Sequence, residues 1–163
     1  MFPSYSRVEY IRVATTEGKR FFGTLFGVCF FDKGEQIMFK KNLPTKKVVV
    51  AGCRDYNNYE EAKDYIDRCL SGIRLENNIV IVSGGARGAD ALGERYAREN
   101  GFEIERYPAD WDTYGKSAGP IRNEQMAEIC DCAICFWDGK SRGTASMIQF
   151  AKQRNKPIRV KRI

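Results

Sequence analysis

Short apolar runs that alternate with segments of helical periodicity constrain the fold of this chain more than any other feature. The runs VVVAG (48–52), IVIV (79–82) and CAICFW (132–137) have the continuous apolar character of strands that are covered on both faces. Between them, apolar residues such as Ala62 and Ile66 recur at helical spacing. Strands that alternate with helices of this length imply right-handed crossovers, so we predict an α/β fold with a parallel sheet and helices on both faces.

The N-terminal part of the chain has a different pattern. The aromatic and β-branched segments VEYIRVA, RFFGTLFGVCFF and QIMFK lie between residues 8 and 40 and are separated by glycine-containing turns, which predicts a three-stranded antiparallel meander. Three such strands are marginally stable alone. We therefore expect a small β unit over residues 1–44 that packs on the main domain of residues 45–163 or on a partner subunit.

Composition excludes several classes of function. The 163 residues include no histidine, which rules out catalysis by an imidazole base, and the net charge of +6 favours an anionic partner, either a phosphorylated small molecule or a nucleic acid. No secretory signal and no run of 18 apolar residues is found, so we expect a cytoplasmic protein without a membrane span.

The six cysteines are expected to be buried thiols in such a compartment. Cys130, Cys132 and Cys135 form a C-x-C-x-x-C motif, but neither a second cysteine pair nor a histidine is present to complete a tetrahedral zinc site. We therefore predict no metal and no cofactor.

Ligands of open parallel sheets bind beyond the carboxyl ends of the strands, which directs attention to the loops between strands and helices. Those loops are GCRDY (52–56), SGGARGAD (83–90), PADWDTYGKSAGPIRN (108–123) and DGKSRGT (138–144). In the second loop, glycine permits close backbone approach, the free N–H groups at a helix start favour an anion, and Arg87 adds a bidentate donor. We predict a phosphate site there, with the fourth loop as a second contributor of similar composition.

The candidate ligand-binding residues follow from these loops. Asp55, Asp90, Asp110 and Asp138 have an alternative role in helix capping and in pairing with arginines, and Trp111 and Tyr114 are candidates either for stacking on a base or for anchoring their loop. The complete set is Gly52, Arg54, Asp55, Ser83, Gly84, Gly85, Arg87, Gly88, Asp90, Asp110, Trp111, Arg122, Asn123, Asp138, Ser141, Arg142, Gly143 and Thr144.

The ordered motifs GCRD, VSGGARGADALGERYA, YPADW, YGKSAGPIRNEQM, FWDG and SRGT resemble the YspA-like branch of the SLOG superfamily over residues 47–163. This Rossmann-like superfamily also contains the LOG phosphoribohydrolases and the DNA-processing protein DprA/Smf. The resemblance implies a Rossmann-like domain that binds a nucleotide or a nucleotide-derived phosphoribosyl ligand, for sensing or processing, in a homodimer or higher homo-oligomer.

Two departures from the LOG pattern bear on catalysis. The segment from Arg122 to Met126 resembles the LOG motif R-K-x-x-M except that Asn123 replaces lysine, and Met147 stands where the P-G-G-x-G-T-x-x-E motif has its catalytic glutamate. Cleavage of an N-glycosidic bond needs a carboxylate, which a thioether cannot replace. If the chain is a hydrolase, we expect Arg122, Asp90 and Asp138 to be its catalytic residues, with Asp110 as a further source of the carboxylate.

The similarity of residues 83–90 to the S-G-x-A-x-G-x-D segment of DprA supports an alternative, which is binding of single-stranded nucleic acid. The basic C-terminal segment agrees with that alternative. The sequence lacks the series of aromatic residues interleaved with lysine and arginine that is typical of single-strand platforms.

Overall fold

A computed structural model of the chain describes residues 43–163 throughout, together with three strands that precede them, at 22–25, 28–30 and 36–38. The chain divides into two compact units, Met1–Leu43 and Pro44–Ile163.

In the first unit, strands β1 (Phe22–Leu25), β2 (Val28–Phe30) and β3 (Gln36–Met38) form an antiparallel sheet in the order β1-β2-β3. The segment RFFGTLFGVCFF, which we expected to form one strand, contains both β1 and β2. The predicted strand VEYIRVA lies outside the described residues, so the meander over residues 8–40 and its packing on another unit stay predictions.

The second unit is built around a five-stranded parallel sheet. Its strands are β4 (Thr45–Gly52), β5 (Asn78–Ser83), β6 (Glu103–Arg106), β7 (Cys132–Trp137) and β8 (Ile158–Arg162), in the order β6-β5-β4-β7-β8. All four strand pairs are parallel. The strand positions and the parallel pairing confirm the predicted Rossmann-like α/β fold.

The helices that connect these strands are α1 (Tyr59–Leu70), α2 (Ala89–Glu99), α4 (Ala118–Ile129) and α5 (Arg142–Gln153). A four-residue helix α3 (Trp111–Tyr114) and a 3₁₀ turn (Gly115–Ser117) precede α4, in a segment that we expected to be loop. Among the described residues, no helix combines the length and the apolar character that crossing a bilayer requires.

The core lies on both faces of β4, at the centre of the sheet. Val48 and Val50 pack in a cluster with apolar residues of α1 and α2, while Val49 and Ala51 pack in a second cluster with residues of α4 and α5. Successive side chains of a strand point to opposite faces, so a continuous apolar run is what two covered faces require. The helices on both faces in turn place four strand-to-helix loops at the carboxyl edge of the sheet.

The five cysteines of residues 43–163 lie in the core or pack against it. Cys53, Cys69, Cys130, Cys132 and Cys135 are free thiols. Burial raises the pKa of Cys132 to about 11 and that of Cys135 to about 12. These thiols stay protonated at neutral pH, and the described residues contain no cluster of three or more cysteine and acidic side chains that could hold a metal ion.

Helix α2 packs very closely on β4 because Gly93 has no side chain. A Cβ atom at Gly93 would lie 2.7 Å from Cβ and Cγ1 of Val50, which is shorter than any ordinary carbon–carbon contact. Glycine disfavours a helix interior by about 1 kcal/mol relative to alanine. Glycine at this position therefore lowers the intrinsic stability of the helix but allows α2 to pack closely on β4.

We expect Gly93→Ala to lower the free energy of unfolding by roughly 1–3 kcal/mol, because the added methyl group forces α2 away from β4. Gly143→Ala is the matched control, since a Cβ there would meet no atom within 4 Å outside its own helix, and it should leave stability unchanged or raise it. Urea denaturation of both variants measures the difference. Equal or higher stability of Gly93→Ala would contradict the close packing.

Candidate anion-binding site

The carboxyl edge of the sheet carries a pocket of about 470 Å³. Its walls come from the loops after β4, β5 and β6, from the first residue of α3 and from Arg122 in the second turn of α4. Six of its eight lining residues are among the predicted ligand-binding residues, and Ala86 and Ala109 were not predicted. The lining residues are Arg54, Gly84, Gly85, Ala86, Arg87, Ala109, Trp111 and Arg122.

Three of these lining residues are arginines and none is a carboxylate, which makes the pocket a cationic one. Arg54 and Arg87 are exposed, whereas the Arg122 side chain is only 11% exposed. The nearest carboxylate to Arg87 is Asp55, at 2.7 Å, and this exposed pair is open to solvent screening. Both exposed guanidinium groups are therefore available to an incoming anion.

Two positions of the loop after β5 require glycine because neighbouring atoms leave no room for a side chain. A Cβ atom at Gly84 would overlap the Arg122 guanidinium, and one at Gly88 would overlap the backbone of Cys53 and Arg54. Gly88 also has φ +76°, in the left-handed region that favours glycine. The glycines thus allow Arg122 to lie directly on the loop and bring the β5 loop against the β4 loop.

Two backbone amides of this loop already donate hydrogen bonds within the protein, whereas the sequence predicted free N–H groups there. The Gly85 N–H donates to the Ser83 hydroxyl at 3.0 Å, and the Ala86 N–H donates to the Asp90 carboxylate at 3.4 Å. Asp90 lies in the first turn of α2, so its side chain is an internal anion for the amides that precede the helix. Positive charge offered to a ligand comes mainly from guanidinium groups.

Arg122 and Asp90 form a buried pair beneath the pocket. Their closest atoms, Nη1 and Oδ2, are 3.9 Å apart, with side-chain exposures of 11% and 5%. Among the described residues, neither Nε nor Nη1 of Arg122 has a hydrogen-bond partner. Burial lowers the pKa of Arg122 and raises that of Asp90, in each case against the attraction of the other group. The guanidinium is thus desolvated and incompletely satisfied.

The sequence analysis did not identify Glu94, whose carboxylate contacts Ser83 at the start of the loop after β5. Its carboxylate is buried, accepts hydrogen bonds from Ser83 at 2.9 Å and Arg106 at 2.9 Å, and pairs with Arg98 at 2.8 Å. These donors, Arg106 foremost, lower the pKa of Glu94. Ser83 is therefore a structural link between Glu94 and Gly85. The signal in the sequence was a carboxylate four residues after Asp90, on the helix that follows the glycine loop.

The fourth predicted loop lies across β4 from the pocket, because β4 separates β5 from β7 in the sheet. None of residues 141–144 lines the pocket, so the two glycine-containing loops do not share it. Asp138 accepts hydrogen bonds from the amides of Lys140 and Ser141, and Ser141 caps α5. Arg142 and Gly143 are exposed at the start of that helix.

Cys53 lies at the junction between this loop and the loop after β4. Its sulfur accepts a hydrogen bond from the Asp138 amide at 3.4 Å and lies 4.0 Å from the buried Thr144 hydroxyl. The buried Asn123 amide donates to the Gly143 carbonyl at 2.9 Å and to the Ser146 hydroxyl at 2.8 Å. The Asn123 contacts bind α4 to α5, and the Cys53 contacts join the loop after β4 to the segment after β7.

The remaining predicted residues have structural contacts. Gly52 packs on Phe136 and Ala89, and Asp110 caps α3 through the Thr113 amide. Met147, at the position of the LOG glutamate, is buried in the core cluster of α4 and α5. A carboxylate at that position would not reach the pocket from the core.

Comparison of the sequence with known proteins shows the family to which the chain belongs. The family model described as YAcAr, the YspA, cpYpsA-related SLOG family, matches residues 46–114. The Gene 61 protein of Mycobacterium phage D29 is 33% identical over 119 residues, which cover 69% of this chain and 94% of the phage protein. The chain therefore belongs to the YspA, cpYpsA-related family of the SLOG superfamily.

Two solved structures share the fold. DprA from Streptococcus pneumoniae matches with a TM-score of 0.56 at 20% identity, covering 72% of this chain and 50% of that protein. DprA from Helicobacter pylori, which binds single-stranded DNA, matches with a TM-score of 0.52 at 24% identity, covering 73% of this chain and 66% of that protein. The chain thus spans about half to two thirds of the DprA proteins that it resembles.

The buried Asp90 gives a prediction about pH. Because its pKa is raised in the folded protein, the folded state holds this proton more tightly than the unfolded chain does. The contribution of Asp90 to stability is therefore present below the unfolded pKa, of about 4, and is lost as pH rises through the folded pKa. Compared with Asp90→Asn, the wild type should lose stability as pH increases from about 4 to about 7.

Urea denaturation of both proteins across this pH range measures the effect, with Asp64→Asn on α1 as an exposed control. The control should show no comparable change with pH. If the wild type instead gained stability over Asp90→Asn with rising pH, attraction by Arg122 would outweigh burial and the raised pKa would be wrong.

Proposed function

We propose that this protein binds a nucleotide or a nucleotide-derived phosphoribosyl ligand, with its phosphate held by Arg122, Arg87 and Arg54. The observation that carries the proposal is the buried Arg122 guanidinium, whose Nε and Nη1 have no hydrogen-bond partner among the described residues. Leaving buried charged donors unsatisfied is unfavourable. Arg122 also lines the pocket, where a phosphate oxygen would offer this incompletely satisfied guanidinium a charge-assisted hydrogen bond. Membership of the SLOG superfamily and the fold shared with DprA support a nucleotide or nucleic-acid ligand in general.

The pocket supports binding more directly than hydrolysis. No carboxylate is among its lining residues, and Asp90 lies buried beneath Arg122 with its oxygen bonded to a backbone amide. An N-glycosidic hydrolase needs a carboxylate at the reacting carbon. We therefore propose a ligand-binding protein, and we expect chromatography of incubated nucleotides to show no released base.

We expect a nucleoside monophosphate to stabilise the protein by about 2.7 kcal/mol when its concentration is about 100 times its Kd. Arg122→Lys keeps the charge but loses the planar fork, and Gly84→Ala keeps all three arginines but displaces the guanidinium. Each variant should weaken binding by roughly 10- to 100-fold, because hydrogen bonds to charged groups contribute about 1.5–3 kcal/mol. Thermal shift and titration calorimetry measure both effects.

Arg68→Ala is the matched control, since this exposed arginine on α1 donates to a carbonyl of its own helix and lies outside the pocket. It should bind ligands like the wild type. Arg142→Ala tests the length of the ligand. The variant should weaken binding only of a compound that extends beyond the pocket to the loop after β7. Stabilisation that survived both Arg122→Lys and Gly84→Ala would refute the proposed site.

Single-stranded nucleic acid is the second candidate, favoured by the net charge of +6 and by exposed cations at the same edge of the sheet, such as Lys140 and Arg162. Salt separates the two candidates. Binding of an oligothymidylate through several phosphates should weaken with a slope of about −0.7 per phosphate in a plot of log K against log salt. A slope steeper than about −2 would favour nucleic acid over a single nucleotide.

A further inference from the structure

Helix α3 presents two large aromatic side chains, Trp111 and Tyr114, which are each 51% exposed. They lie three residues apart and therefore occupy neighbouring positions on one helix. Only Trp111 is among the residues that line the arginine pocket. An indole that stays half exposed beside guanidinium groups offers apolar surface that a ligand can cover.

The position of Trp111 is determined by contacts on both sides of α3. The Asp110 carboxylate accepts a hydrogen bond from the Thr113 amide at 3.0 Å, and the Trp111 amide donates to the Ala109 carbonyl at 3.1 Å. The outer edge of the indole lies near α4, where a Cβ atom added at Gly119 would be 3.4 Å from Cη2. The backbone of α3 is therefore held by these hydrogen bonds, with the indole between the pocket and the start of α4.

We infer that Trp111 is the stacking platform for the base of the bound nucleotide, an assignment that rests on the proposed function. The reasoning combines two properties of one pocket. Arg54, Arg87 and Arg122 select an anion, whereas the indole adds nothing to the binding of a bare phosphate. A ligand that covers both surfaces joins an anion to a flat apolar ring, which is the chemistry of a nucleotide.

The size of the pocket is consistent with this ligand. A volume of about 470 Å³ falls within the range of about 300–1,000 Å³ that is usual for small-molecule sites. Stacking of a base on an aromatic side chain tolerates every base, because each has a π-face. Trp111 therefore selects nucleotides over sugar phosphates and leaves the choice of base to other contacts.

The test compares Kd values of AMP, GMP, CMP and UMP with that of ribose 5-phosphate, for the full chain and three variants. Trp111→Ala should weaken nucleotide binding by about 5- to 150-fold, the effect of losing one stacked base, and should leave ribose 5-phosphate binding unchanged. Trp111→Phe should retain most of the affinity. Tyr114→Ala is the control, because it removes an equally exposed aromatic residue of the same helix that does not line the pocket.

Fluorescence provides a signature that a structural role of Trp111 would not produce. The chain contains two tryptophans, so Trp137→Phe leaves Trp111 as the reporter. Nucleotides should change its emission on binding and ribose 5-phosphate should not. Equal affinity of Trp111→Ala and wild type for nucleotides, or an unchanged emission spectrum at saturation, would overturn the assignment.

The outcomes also separate this inference from the proposed function. If nucleotides and ribose 5-phosphate bind equally and depend on Arg122 but not on Trp111, the anion site is correct and the stacking platform is wrong. If neither binds at ligand concentrations of several millimolar, the proposed function is wrong and the platform is wrong with it.

Discussion

The buried contact between Arg122 and the glycine loop is the interaction on which the carboxyl edge of this sheet depends. Arg122 belongs to α4, Gly84 to the loop after β5 and Asp90 to α2, so one guanidinium joins segments from both sides of the sheet. Desolvation of a cation is unfavourable unless other groups compensate for it. Asp90 compensates from 3.9 Å away and leaves two donors of Arg122 without a hydrogen-bond partner among the described residues, and the proposed anion site rests on this incomplete compensation.

The amino-acid sequence was sufficient to predict β4, β5 and β7, the three central strands of the parallel sheet, because continuous apolar runs and helical spacing are local signals. It also identified most of the pocket, since Gly84 and Arg87 follow the end of β5 and Arg122 lies near the start of α4. Two features were beyond it. The separation of the β5 and β7 loops depends on the strand order, which local pattern does not determine, and the inward direction of the loop amides depends on the three-dimensional position of Asp90.

The departure from the LOG pattern now has a physical meaning. Met147 is part of the apolar core between α4 and α5, and Asn123 is buried with both hydrogen bonds directed at α5. Both positions serve the packing of two helices. The chain has arginine at the first position of this motif and packing residues at the other two positions, which supports the proposal that it binds a ligand without cleaving it.

The contacts of Cys53 bear on which substitutions the two halves of the sheet can accept. The loops after β4 and β7 meet through this thiol, Thr144 and the Asp138 amide, and no residue of β7, α5 or β8 lines the pocket. The half made of β7, α5 and β8 therefore supports the sheet without forming part of the pocket wall, and its outer surface is separate from the pocket. Substitutions along that outer surface can alter solubility or self-association without displacing any arginine that faces the cavity.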